Sequence, residues 1–142
     1  MKTLIAVLFL LAGQVQANET ADGIAAYKAG NYEKAFQLWE LAIGLHGKQA
    51  ECQIRQLANK TTAPGILVQA MSWAHGYCEF PVTLEIAAPG FRKAGEMFAD
   101  QGNLQMANYC LSYLMDLPDD VIVRGHRKSL YNKINQAKVK GN

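Results

Sequence analysis

The chain has 142 residues, 50% of them hydrophobic and 18% charged, with 14 Lys and Arg against 12 Asp and Glu. That length and balance describe one ordinary globular domain and exclude a disordered tail or a strongly basic nucleic-acid binder. The charge is unevenly spread, because residues 18–120 carry 7 basic and 12 acidic side chains while residues 121–142 carry 6 basic and no acidic ones.

Lys2 precedes the apolar run Leu4 to Leu11, and Val15-Gln16-Ala17 ends on a small residue with Val two before it. This is the pattern of a secretory signal peptide over residues 1–17, too short for the ~20 apolar residues of a spanning helix. Cleavage after Ala17 would leave 125 residues with no Cys at the cut and hence no lipid anchor. No later apolar run is long enough to cross a bilayer, so the mature product is expected in the periplasm or outside the cell without a transmembrane anchor. Its near-zero net charge gives no general pull toward nucleic acid.

The mature chain carries helix signals and almost no strand alternation. Ala25, Ala26 and Tyr27 lead into the breaker pair Gly30-Asn31. Tyr32 to Ile43 then sets Ala35, Leu38, Trp39 and Ala42 on one helical face. Gly44 and Gly47 end that helix, and Gln49 to Asn59 offers Ile54, Leu57 and Ala58 as a third. Thr61 or Thr62 can cap a fourth helix from Gly65 to about Tyr77, with Leu67, Ala70, Met71 and Ala74 inward. Pro81 to Pro89 reads as irregular. Helical spacing returns from Gly90 to Asp100 with Phe91, Ala94, Met97 and Phe98, then breaks at Gly102-Asn103. Leu104 to Met115 places Ala107, Cys110, Leu111 and Leu114 on one stripe. Pro118 suits the first position of a last helix, whose Asp119 and Asp120 suit its positive end and whose lysines suit its negative end.

Short helices joined by Gly-containing turns suggest an internal repeat. An offset of 72 sets Gly23 on Gly95, Gly30-Asn31 on Gly102-Asn103, Ala35 on Ala107 and Trp39 on Leu111. Ala70 lies near the midpoint, 35 residues after Ala35. Three two-helix units therefore fit over about 20–45, 48–79 and 90–118, with residues 119–142 left as a basic capping helix and tail. The small Ala positions allow close helix crossing, and a large residue one turn later fills the gap beside it. In the cap, Ile122, Leu130 and Ile134 can face inward while Arg127, Lys128, Lys133 and Lys138 stay solvated.

Gly23, Tyr27, Gly30-Asn31-Tyr32, Ala35, Trp39 and Ala42 resemble the tetratricopeptide repeat pattern, and so do Gly95, Phe98, Gly102-Asn103, Ala107 and Leu111 with Pro118 near the repeat's end. Asp22 to Ala50 is similar also to the slightly longer Sel-like variant. The resemblance implies an all-α fold, a short α-solenoid of about three helix-turn-helix repeats plus the C-terminal capping helix. It also implies a concave groove lined by first helices, which would present Tyr27, Lys28, Arg55, Asn59, Arg92, Glu96 and Asp100. Such mixed charges with a Tyr suit a protein or peptide partner.

If Gln49 to Asn59 packs antiparallel on Gly65 to Tyr77, Cys52 comes beside Cys78 and a disulfide is expected, leaving Cys110 as a buried thiol on the Ala107 and Leu114 stripe. His75 and Cys78 are three apart, but zinc needs three or four ligands and no others stand at ligand spacing. No phosphate loop or nucleophile elbow occurs. The expectation is therefore a periplasmic or secreted adaptor without catalysis, cofactor or metal, binding another protein of the envelope. An immunity or regulatory protein that caps an enzyme or toxin is the sharper form. The alternatives are a metal- or thiol-dependent envelope hydrolase using His75 and Cys78, and a structural subunit of a secretion or pilus assembly.

Overall fold

The computed structural model describes residues 19–141, so the signal peptide expected over residues 1–17 lies outside the described residues. The chain is all-α. Seven helices occur among the described residues, with no strand: α1 (Glu19–Lys28), α2 (Tyr32–His46), α3 (Lys48–Arg55), α4 (Ala63–His75), α5 (Leu84–Asp100), α6 (Leu104–Asp116) and α7 (Val121–Lys140), with a 3₁₀ turn at Tyr77–Glu79. None of these helices is long and apolar enough to cross a membrane. The residues fall into two compact units divided between Ala50 and Glu51.

In the unit before the division, α1 and α2 form a hairpin. Gly30 takes φ +85°, which a Cβ would disfavour, and Asn31 caps α2 by accepting from the Lys34 amide at 3.4 Å. Gly23 lets the two helices close up, since a Cβ there would stand 2.4 Å from Trp39 Nε1 and 3.2 Å from the Ala35 carbonyl. Ala35, Phe36, Trp39 and Ala42 are fully buried, whereas Leu38 is only half-buried. The indole of Trp39 packs against Tyr27 and Phe36, with centroids 5.4 and 5.0 Å away. Its Nε1–H is buried without a hydrogen-bond partner among the described residues, an uncompensated cost within an otherwise apolar contact.

In the unit after the division, α5 is the central helix and packs on α4, α6 and α7, and α6 also packs on α7. Thr62 caps α4 by accepting from the Gly65 amide at 3.2 Å. Leu67, Ala70, Met71 and Ala74 are buried as their spacing predicts. The expected Cys52–Cys78 disulfide is present, closing a separation of 26 residues, and Cys110 is a buried free thiol whose pKa is raised by that burial. Around the bridge the chain turns through Cys78 (φ 56°) and Glu79 (φ 66°), left-handed positions that cost a non-glycine residue on the order of 1–2 kcal/mol each.

The second turn repeats the first. Gly102 has φ +80°, and Asn103 accepts from the Met106 amide at 3.1 Å with φ −90° and ψ 76°, against φ −89° and ψ 75° at Asn31. Asn31 and Asn103 also donate their amides to carbonyls five residues back, at 2.9 and 2.8 Å.

Four expectations are corrected. Residues 84–89 are helical although Pro89 removes a donor, because Ala87 and Ala88 become fully buried and that packing outweighs one missing hydrogen bond. α3 stops at Arg55, after which i to i−3 bonds tighten the chain and the Asn59 amide turns to the Gly65 carbonyl. Asp120, not Pro118, sets the start of α7, accepting from the Ile122 amide at 2.7 Å. The inner face of α7 is therefore Val123, Leu130 and Ile134, while Ile122 is 50% exposed.

Candidate interaction surfaces

Tyr27 and Lys28 end α1, Tyr27 half-buried in the aromatic cluster with Tyr32 and Trp39 and Lys28 exposed at the negative end of the helix. Arg55 ends α3 with its guanidinium 3.6 Å above the centre of Phe80, whose other neighbour is Trp73, stacked at 5.0 Å. This cation–π contact offsets the burial of an Arg55 Nε that has no hydrogen-bond partner among the described residues. Asn59 is spent on its own turn, its Oδ1 accepting from the amide and hydroxyl of Thr61, both at 2.7 Å. Arg55 and Asn59 thus hold local structure.

Arg92, Glu96 and Asp100 share one stripe of α5, as expected, and each is bonded to α7, with Asp100 still exposed. Arg92 donates from Nε to His126 Nδ1 at 2.9 Å and from Nη1 to Glu96 at 3.1 Å. Glu96 also accepts from the Ser129 hydroxyl at 3.1 Å, and Asp100 pairs with Lys133 at 2.7 Å. Since Arg can only donate, His126 Nδ1 is unprotonated. Burial first, then the Arg92 charge, lowers the His126 pKa against the opposing pull of Glu96. The Asp100 carboxylate raises that of Lys133. These three residues fasten the C-terminal helix to α5.

Arg127, expected in solvent, is also committed. Its side chain is 16% exposed and donates to the carbonyls of Leu114 at 2.8 Å and Leu117 at 2.7 Å, closing the C-terminal end of α6.

His75 lies near the rings of Tyr77 and Tyr113, at 5.7 and 6.2 Å, and its pKa is lowered by burial against the charges of Glu51 and Asp116. Cys78 has its sulfur in the disulfide, so in this oxidised form it offers no thiol to a metal or substrate. Among the described residues no three His, Cys, Asp or Glu are placed to share a metal.

Two of the hollows on this unit have apolar side chains beside charged ones. One, of about 470 Å³, lies at the starts of α5 and α7, among Val82, Leu84, Ile122 and Val123 with Glu85 and Asp120. The other, of about 290 Å³, is a groove of α6 and α7 residues: Leu111, Met115 and Tyr131 with Arg124, Arg127 and Lys128. Leu111 was expected on the buried stripe beside Cys110 and Leu114, yet it is half-buried and Met115 is 59% exposed. The place that Trp39 fills against Gly23 is filled against Gly95 by Leu130 of α7, whose Cδ atoms would lie 2.6 and 2.7 Å from a Cβ there, so Leu111 is left at the surface. A second offset, of 36, would have revealed this: Ala87, Phe91, Ala94 and Phe98 fall on Val123, Arg127, Leu130 and Ile134. Comparison of the chain with protein-family models, with curated proteins and with solved structures returns no significant match to any of them.

Proposed function

We propose that this chain is an exported protein-binding module, a short series of helical hairpins of tetratricopeptide or Sel-like type that holds another protein of the cell envelope. The observation that carries the reading is the pair of matching Gly-Asn turns 72 residues apart, each with a left-handed Gly and an Asn cap of nearly equal dihedrals. A hairpin repeated with such fidelity is a scaffold unit whose outer side chains are free to specialise for a partner. The Cys52–Cys78 disulfide supports an oxidising compartment such as the periplasm. A dedicated immunity or regulatory role toward an envelope enzyme or toxin is the sharpest form of this reading, given so few repeats.

Affinity capture from periplasmic extract, with the chain from Asn18 onward as bait, tests it. A single envelope enzyme or toxin recovered in a stoichiometric complex is the expected result. Recovery of chaperones alone sinks the reading, and ordered homo-oligomers without a partner would favour an assembly subunit.

A further inference from the structure

We infer that the groove between α6 and α7 is a docking site for an acidic amphipathic helix of a partner protein, seated on Leu111, Met115 and Tyr131 and held by Arg124 and Lys128. The inference rests on the binding-module reading above and names the surface and the chemistry of the partner.

The register of α7 is that of a first helix of a repeat. Its buried residues follow those of α5 at an offset of 36, so α7 packs as the first helix of a further repeat would. In the two clear hairpins a first helix ends in Gly-Asn and a second helix folds back on it. The positions 36 beyond Gly102-Asn103 are Lys138 and Val139, and α7 runs straight through them to Lys140. A groove of about 290 Å³ lies beside α7 along α6.

The side chains there differ from those of the chain's own close crossings. A Cβ on Gly95 of α5 would stand 2.6 and 2.7 Å from the Cδ atoms of Leu130 and 3.1 Å from Cys110 Cβ on α6. At the offset of 36, the counterpart of Gly95 is Tyr131, 56% exposed. A small-residue crossing is thus replaced by an amphipathic ring beside Met115, itself 59% exposed, and the recessed Leu111. This floor accepts apolar residues at i, i+3, i+4 and i+7 of a helix.

The rim sets the sign of the partner. Arg127 is committed to the carbonyls that end α6, and Asp119 reaches Arg124 and Arg127 at 3.4 and 3.3 Å, an exposed pair on the Arg124 side. Lys128 and Arg124 therefore present cationic charge beside an apolar floor, on a segment that has no acid from Val121 onward. Carboxylates flanking an apolar stripe meet both requirements, and charge complementarity of this type sets orientation and association rate. A hollow lined by residues of two helices favours a helix over a flat anionic bilayer, which would leave the half-buried Leu111 uncovered.

The test uses a synthetic helix-forming peptide of about 18 residues with Leu at helical spacing flanked by Glu. A shuffled peptide of equal composition and phosphatidylglycerol vesicles serve as competitors, and amide resonances of the chain from Asn18 onward are the readout. The amphipathic peptide is expected to give saturable shifts around Leu111, Met115 and Tyr131. Binding should weaken on the order of tenfold in R124E/K128E and with added salt. Circular dichroism of that variant should be unchanged, because both side chains are exposed. An absent or unsaturable response, equal response to the shuffled peptide, or affinity untouched by the double variant overturns the inference. So does binding to vesicles in place of the peptide. If the captured natural partner still binds R124E/K128E, the groove assignment falls while the binding-module reading stands. If the peptide binds as expected and no natural partner is found, the functional reading fails and the groove does not.

Discussion

Gly23 and Gly95 occupy matching places in two hairpins, yet their replacement by Ala has different expected costs. A Cβ at Gly23 would meet the indole of Trp39 at 2.4 and 2.5 Å, a fully buried ring hemmed by Tyr27 and Phe36 that has nowhere to move. G23A should therefore lose about 1–3 kcal/mol in chemical unfolding despite better helix propensity. At Gly95 the nearest atoms are the flexible ends of Leu130, with Cys110 Cβ at 3.1 Å, so the loss should be smaller, within about 1 kcal/mol. A greater loss at Gly95 would mean that α7 is more rigidly seated than its leucine contact implies. Titration offers a second measurement. His126 and His75 both have folded pKa values below the ordinary 6.5. The unfolded chain then binds protons that the folded chain refuses. Their contribution to stability is complete above the ordinary value and declines as pH falls through it toward the depressed folded values. The melting temperature should drop between pH 7 and pH 5, and H75Q/H126Q should show a shallower drop than the parent chain. An unchanged slope would contradict the lowered pKa values of the two rings.

Helix boundaries divide into those set by adjacent residues and those set by distant ones. The Gly30-Asn31 and Gly102-Asn103 turns were legible because a left-handed Gly followed by a side-chain cap is a local device. The start of α5 was not. Pro89 marks a break by local rules, and only the burial of Ala87 and Ala88 keeps the helix intact through it. Residues 48–79 lack a Gly-Asn turn and carry a covalent link, with the left-handed Cys78 and Glu79 at one end of the bridge. C52S/C78S should lose about 3–4 kcal/mol by the loop-closure estimate, and dithiothreitol should lower the melting temperature of the parent chain to that of the variant. A parent chain that melts unchanged in reductant would remove the bridge as a stabilising element.

In the unit from Glu51 onward, α7 is the element that joins the parts. It lays Leu130 against Gly95, receives Arg92, Glu96 and Asp100 through His126, Ser129 and Lys133, and closes the end of α6 with Arg127. L130A removes a fully buried side chain from that meeting point and should cost about 2–5 kcal/mol in urea unfolding. A loss near that of a surface change would show that α7 is held by its polar contacts alone. The order of residues along the chain was enough to establish helices, two matching turns and a basic final helix, because periodicity and caps act over short separations. The Cys52–Cys78 link is present as expected, although α3 and α4, whose antiparallel packing was to bring the two together, are not among the closely packed helix pairs. Which face of that final helix is covered was decided by packing between segments more than thirty residues apart. The same contacts tie Arg92, Glu96 and Asp100 to the C-terminal helix and leave Leu111, Met115 and Tyr131 at the surface. Helical spacing says that two stripes exist on an amphipathic helix, but only the neighbour that arrives determines which of them water keeps.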